Sequence, residues 1–183
     1  TAGLSGGARV ACRLGYALKG EVAGAIACSA GLPEGIEPSV PMPFALFTTA
    51  GVEDFNYSEL KRLNHALNDL KVTNHFEVFE GGHEWAPSDV CTGAIGWMEL
   101  QAMKKGTREK DAALIESMFK TSLENADSLQ ASGRHYRAWA AYNQLAADFG
   151  GLRDVAEVDR KAGQLKESKE VSRAVKRDLA LDE

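Results

Sequence analysis

Thr1-Ala2-Gly3-Leu4-Ser5-Gly6-Gly7 opens the chain. Gly3, Ser5 and Gly7 fit G-x-S-x-G, the spacing that places a serine on a sharp turn between a strand and a helix. Such a turn holds the serine backbone in a strained conformation, so that its hydroxyl stands clear. Glycines two residues to either side let strand and helix pass closely without Cβ clashes. Ala8 to Leu18 then reads as a helix, with Val10, Cys12, Leu14 and Ala17 among its buried residues. A helix starting just after Ser5 aims its N-terminal dipole at any oxyanion formed there. Taken alone, the stretch also fits a glycine-rich turn opening an ordinary helix. The order of the later segments decides between the two.

Val22, Ala23, Ala25, Ile26 and Ala27 lie in a short apolar run, Glu21 to Cys28, that reads as a buried strand. A loop rich in proline and glycine, Ser29 to Pro43, leads to a second buried strand, Phe44 to Thr48. Ala50 to Asn56 is the next loop, and Tyr57 to Leu70 a helix with Leu60, Leu63, Leu67 and Leu70 at helical spacing. His75 to Phe79 alternates, as a strand nearer a sheet edge does. After the loop Glu80 to Pro87, Ser88 is an N-cap candidate for a helix to about Lys104, with Ile95, Met98 and Ala102 on one face. This strand–helix alternation implies an α/β fold with a parallel sheet, counting Thr1 to Leu4 as the end of a strand.

Function in such sheets gathers in the loops after strand C-termini. The first of these loops carries Ser5, a later one Glu53 and Asp54, and the last Gly81-Gly82-His83-Glu84-Trp85. Serine, acid and histidine thus occur in that order, each just past a strand. His83 can take a proton from Ser5, and a carboxylate can fix the tautomer of His83. Glu53 and Asp54 both qualify as that carboxylate. His65, His75 and His135 read as surface or packing histidines. His83-Glu84 lacks the second histidine of a zinc helix.

On the elbow Gly3 to Gly7, the loop Gly51-Val52-Glu53-Asp54-Phe55-Asn56-Tyr57 and Gly81-Gly82-His83-Glu84-Trp85-Ala86-Pro87, the stretch Gly3 to Gly106 resembles the C-terminal half of an α/β-hydrolase. The likeness is to the esterase branch that includes dienelactone hydrolases, feruloyl esterases and polyhydroxyalkanoate depolymerases. It implies a nucleophile at Ser5, an acid at Asp54, a base at His83 and an oxyanion-hole amide at Gly6. Ser29 is expected to line the cleft, and Trp85 either walls the substrate pocket or packs. The implied chemistry is hydrolysis of a small or polymeric carboxylic ester, with no cofactor and no metal. A serine peptidase on the same fold and a helical scaffold with a vestigial hydrolase part are the alternatives. The resemblance leans toward an extracytoplasmic location. Against the family pattern, the first strands and the loop carrying the second oxyanion amide are missing. The stretch is therefore expected to be part of a longer polypeptide, and inactive when isolated.

Composition changes at Gly106. The first 105 residues carry 8 basic and 12 acidic side chains, with all five prolines and 13 of the 18 glycines; the last 78 carry 13 and 14. Residues 1–105 are thus expected to form the partial hydrolase domain and 106–183 an all-α tail. Tail stripes are Leu114, Ile115, Met118, Phe119 and Leu123; Ala138, Tyr142, Leu145 and Phe149; and Val155, Val158, Ala162 and Leu165. Gly133, Tyr136, Ala138 and Tyr142 loosely resemble part of a tetratricopeptide repeat, with the tyrosines one residue out of register, which would suit a protein partner. Lys166 to Glu183 reads as a charged, solvated helix. A net charge of −5 without a basic stripe argues against nucleic acid, and no apolar run reaches membrane-spanning length. Cys12, Cys28 and Cys91 lack metal-ligand spacing and read as buried thiols, with one disulfide among them open.

Overall fold

The computed structural model of the protein describes residues 1–180. Four strands, β1 (Ala2–Leu4), β2 (Gly24–Cys28), β3 (Ala45–Gly51) and β4 (Asn74–Phe79), form one parallel sheet in the order β1-β2-β3-β4. Helices α1 (Gly6–Ala17), α2 (Tyr57–Asp69) and α3 (Ser88–Lys104) alternate with them. The protein is thus α/β at this end. Every residue of β3 is buried, as expected of a strand paired on both sides and covered on both faces.

Side-chain alternation distributes the core over two faces. Ala25, Ala27 and Leu46 point toward a layer with Ala8 and Cys12 of α1 and Leu67 of α2. Ile26, Ala45 and Phe47 point the other way, toward Ala94 and Trp97 of α3. His75 is a packing histidine, stacked on Phe47 with ring centres 4.5 Å apart.

Helix faces depart from the expected ones. Val10 and Leu14 are exposed, and α1 buries Ala8, Ala11, Cys12 and Gly15 instead. The reason is proximity: a Cβ on Gly15 would stand 2.4 Å from the Phe44 ring, so only small residues fit against the sheet. In α3, Ile95 is exposed, while Ala94 and Trp97 face the core. Ser88 is the first residue of that helix.

The chain divides into two compact units, Thr1–Met98 and Glu99–Glu183, with the division inside α3. The second unit holds α4 (Ala112–Ala131), α5 (His135–Phe149), α6 (Ala156–Lys166) and α7 (Lys169–Ala180). Asp111 caps α4, its carboxylate accepting from the Leu114 amide at 2.9 Å. α5 is the hub and packs on α4, α6 and α7. The region expected to be a solvated helix is not wholly so: Val171 of α7 is fully buried in the helical core, with Ala174 nearly so. Residues 181–183 of that expectation lie outside the described residues.

A polar network crosses this unit. The fully buried Tyr142 donates to Asp127 Oδ1 at 2.5 Å, and Lys161 Nζ donates to the same oxygen at 2.6 Å. Partial burial opposes the Asp127 charge, but the bonds from Lys161 and Tyr142 and the Lys161 charge outweigh it, and its carboxyl lies below the usual range. A group depressed on folding contributes stability above its unfolded pKa and loses that contribution as the pH falls through the folded value. The stability of the protein, read as a urea midpoint, is therefore expected to decline from about pH 4 downward. Asp127→Asn should lower the midpoint at neutral pH and flatten this acid dependence. The effect should be modest, because the Asp127 side chain is 46% exposed.

Candidate active site

The parallel register carries Ser5, Ser29, Asp54 and His83 to one edge of the sheet. Leu4 pairs with Cys28, Cys28 with Thr49 and Gly51 with Phe79, so the segments after β1, β2, β3 and β4 leave the sheet side by side. Ser5 lies between β1 and α1 with φ 54° and ψ −120°, a left-handed conformation unusual for a residue with a side chain. Its amide donates to Cys28 O at 2.8 Å, which ties the turn to the neighbouring strand. A Cβ on Gly3 would stand 2.2 Å from the Gly7 carbonyl, so the turn closes only with glycine there. Gly6 is the first residue of α1, and its N–H has no acceptor within the helix.

Asp54 and His83 meet directly. His83 Nδ1 lies 2.9 Å from Asp54 Oδ1, and the Asp54 side chain is fully buried. Glu53, its neighbour, is exposed and holds the loop through its amide, which donates to Gly81 O at 3.0 Å. The same Asp54 oxygen accepts from the Asn56 amide at 2.8 Å. Burial works against the Asp54 charge, but the nearby Ser29 hydroxyl, the bonds from the Asn56 amide and His83, and the imidazole charge prevail and hold its carboxyl below the usual range. The acid and histidine loops approach so closely that a Cβ on Gly51 would stand 2.3 Å from Gly81 O.

Among the described residues the Ser5 hydroxyl has no hydrogen-bond partner, and the His83 ring bonds Asp54 alone. Ser29 differs from its expected place. It is fully buried and so does not line an open cleft; its hydroxyl donates to Glu84 O at 3.1 Å. Trp85 is 52% exposed. Phe55, to which the sequence lent no role, lies stacked on the His83 ring with centres 4.1 Å apart and is 76% exposed. An aromatic next to a candidate acid was the available signal. Asn56, likewise unassigned, donates from Nδ2 to Ser29 O at 2.8 Å.

The cysteines are free; burial pushes the Cys12 thiol up to about 12 despite the nearby Arg9 charge, which leaves it unreactive. Among the described residues no group of three His, Cys, Asp or Glu side chains is placed to hold a metal, and no helix is long and apolar enough to cross a membrane.

No protein-family profile matches the chain. No curated protein matches it either. Among solved structures, the chain is similar to S-formylglutathione hydrolase (FrmB) from Staphylococcus aureus, at 21% identity and a TM-score of 0.44 over 53% of this chain. The match spans 49% of that protein's chain.

Proposed function

We propose that the protein is a serine hydrolase of carboxylic esters, built on part of an α/β-hydrolase domain. The observation that carries this reading is the buried Asp54 bonded to His83 on the sheet edge that also bears the strained turn of Ser5. Asp54 fixes the His83 tautomer with Nδ1 protonated, which leaves Nε2 free to accept the Ser5 proton. Ser5 Oγ attacks the ester carbonyl, and the tetrahedral oxyanion forms against the Gly6 amide and the N-terminus of α1. His83 then protonates the leaving alkoxide, and water activated by the same ring releases the acid. The proposed Ser5–His83 bond is one that forms when substrate fills the site, as such bonds commonly do. Phe55, stacked on His83, offers apolar surface to the acyl or alcohol part of the ester, and the exposed Trp85 lies in the same loop as His83.

The helical unit is read as an appendage of the tetratricopeptide type, with α4 and α5 as one helical pair.

A fluorophosphonate probe tests the reading, because it reports nucleophile activation and needs no turnover. Incubation with the full-length protein should add one phosphonyl group, and peptide mass mapping should place it on Ser5. Absence of labelling, or labelling at another residue, removes Ser5 from the mechanism.

A further inference from the structure

Ser29 sits where three loops converge, and every polar group it owns is engaged. Its amide donates to Thr49 O at 2.8 Å, next to the end of β3. Its carbonyl accepts from Asn56 Nδ2 at 2.8 Å, in the loop that carries Asp54. Its hydroxyl donates to Glu84 O at 3.1 Å, in the loop that carries His83. The backbone at Ser29 is left-handed, φ 57°, a conformation that glycine adopts more readily. The side chain is fully buried, so it contacts no solvent and no substrate.

From this convergence we infer that Ser29 is a positioning residue: it ties the Glu84 carbonyl and the Asn56 amide to the end of β2, and so fixes the separation of Asp54 and His83. The inference rests on the proposed triad and adds a member to its support. A second group bears on it. Asp54 Oδ2 is buried with no donor at bonding geometry. The Ser29 hydroxyl lies near that carboxylate and contributes to holding its charge. A hydroxyl carries one proton and rotates freely about its C–O bond. The geometry directs that proton to Glu84 O, so the hydroxyl holds the loop of His83 while the Ser29 carbonyl holds the loop of Asp54.

The test compares Ser29→Gly and Ser29→Ala in the full-length protein. Glycine tolerates the left-handed backbone, so Ser29→Gly removes the hydroxyl while relieving the strain. Three quantities are read: the exchange of the low-field His83 Nδ1 proton by NMR, the fluorophosphonate labelling rate, and kcat and KM for a short-chain p-nitrophenyl ester. Expected for both variants are a ring proton that exchanges with water at least about tenfold faster and a kcat lowered by roughly a hundredfold, the order lost to a small misplacement of catalytic groups. KM should stay within about twofold, because Ser29 touches no substrate. Wild-type ring exchange and labelling in a folded Ser29→Gly would overturn the inference while leaving the triad intact. If Ser29→Gly does not fold, Ser29→Ala and Asn56→Ala, which removes the other arm, decide by the same readings. Failure of the triad itself has a different signature: a ring proton indifferent to Asp54→Asn, or labelling that persists in Ser5→Ala.

Discussion

Asp54→Asn is expected to lower kcat about ten-thousandfold in the full-length protein, whereas Glu53→Gln should change it less than about threefold. The contrast comes from two adjacent residues in opposite settings. Asp54 is buried and bonded to His83 Nδ1; Glu53 is exposed and contributes only its amide to the loop. An asparagine amide can present its NH2 to Nδ1, and the ring then places its proton on Nε2, where it cannot accept from Ser5. The substitution is nearly isosteric, so the fold should survive and the loss should appear in kcat rather than in soluble yield. A pH–rate profile and steady-state kinetics on a p-nitrophenyl ester check both variants. The reverse ranking would make Glu53 the acid.

Ser5→Gly should abolish labelling and turnover and at the same time raise the thermal midpoint. A residue with a side chain held at φ 54° and ψ −120° stores strain, of the order of 1–3 kcal/mol at such positions. Glycine releases it, although its greater freedom in the unfolded chain offsets part of the gain, so a net rise of about 1 kcal/mol is expected. Ser5→Ala should be equally inactive but no more stable, because it keeps the strained backbone. A calorimetric scan of the three proteins separates these outcomes. Equal midpoints for glycine and alanine would mean that the turn is unstrained and the serine hydroxyl not held out by it.

Much of the sheet was legible because buried strands announce themselves as short apolar runs between turn residues. Ala25 to Ala27 and Phe44 to Thr48 read that way, and the weaker alternation at His75 to Phe79 marked β4, which stands at the end of the sheet. Helix faces were less legible. Large apolar residues normally mark the buried side, but α1 lies so close to the sheet that Ala8, Ala11, Cys12 and Gly15 face it, and Val10 and Leu14 are turned out. Val171 was hidden among charges because the face that docks α7 is short, Val171 and Ala174 with the partly buried Val175, and stands between lysines and arginines. At the candidate site, the chain order of Ser5, Asp54 and His83 could be read, since each lies just past a strand. The surroundings could not. Ser29 looks like any turn serine until Thr49, Asn56 and Glu84 are brought to it, and Phe55 like any loop aromatic until it stacks on His83. Both depend on contacts between segments far apart in sequence, which no local pattern encodes.

The arrangement of the strands also sets a timetable for synthesis. Each pairing is parallel, so each waits for a crossover to be made, and loop closure must precede the contacts that compensate it. The residues of the site are spread over these crossovers, and no two of its loops can meet until the strands between them have paired. As the chain leaves the ribosome, Ser5 emerges ahead of the other site residues, and His83 reaches Asp54 only when β4 joins β3. Domains tend to fold in order of emergence. The proposed acid and base therefore come together only once β4 has paired with β3.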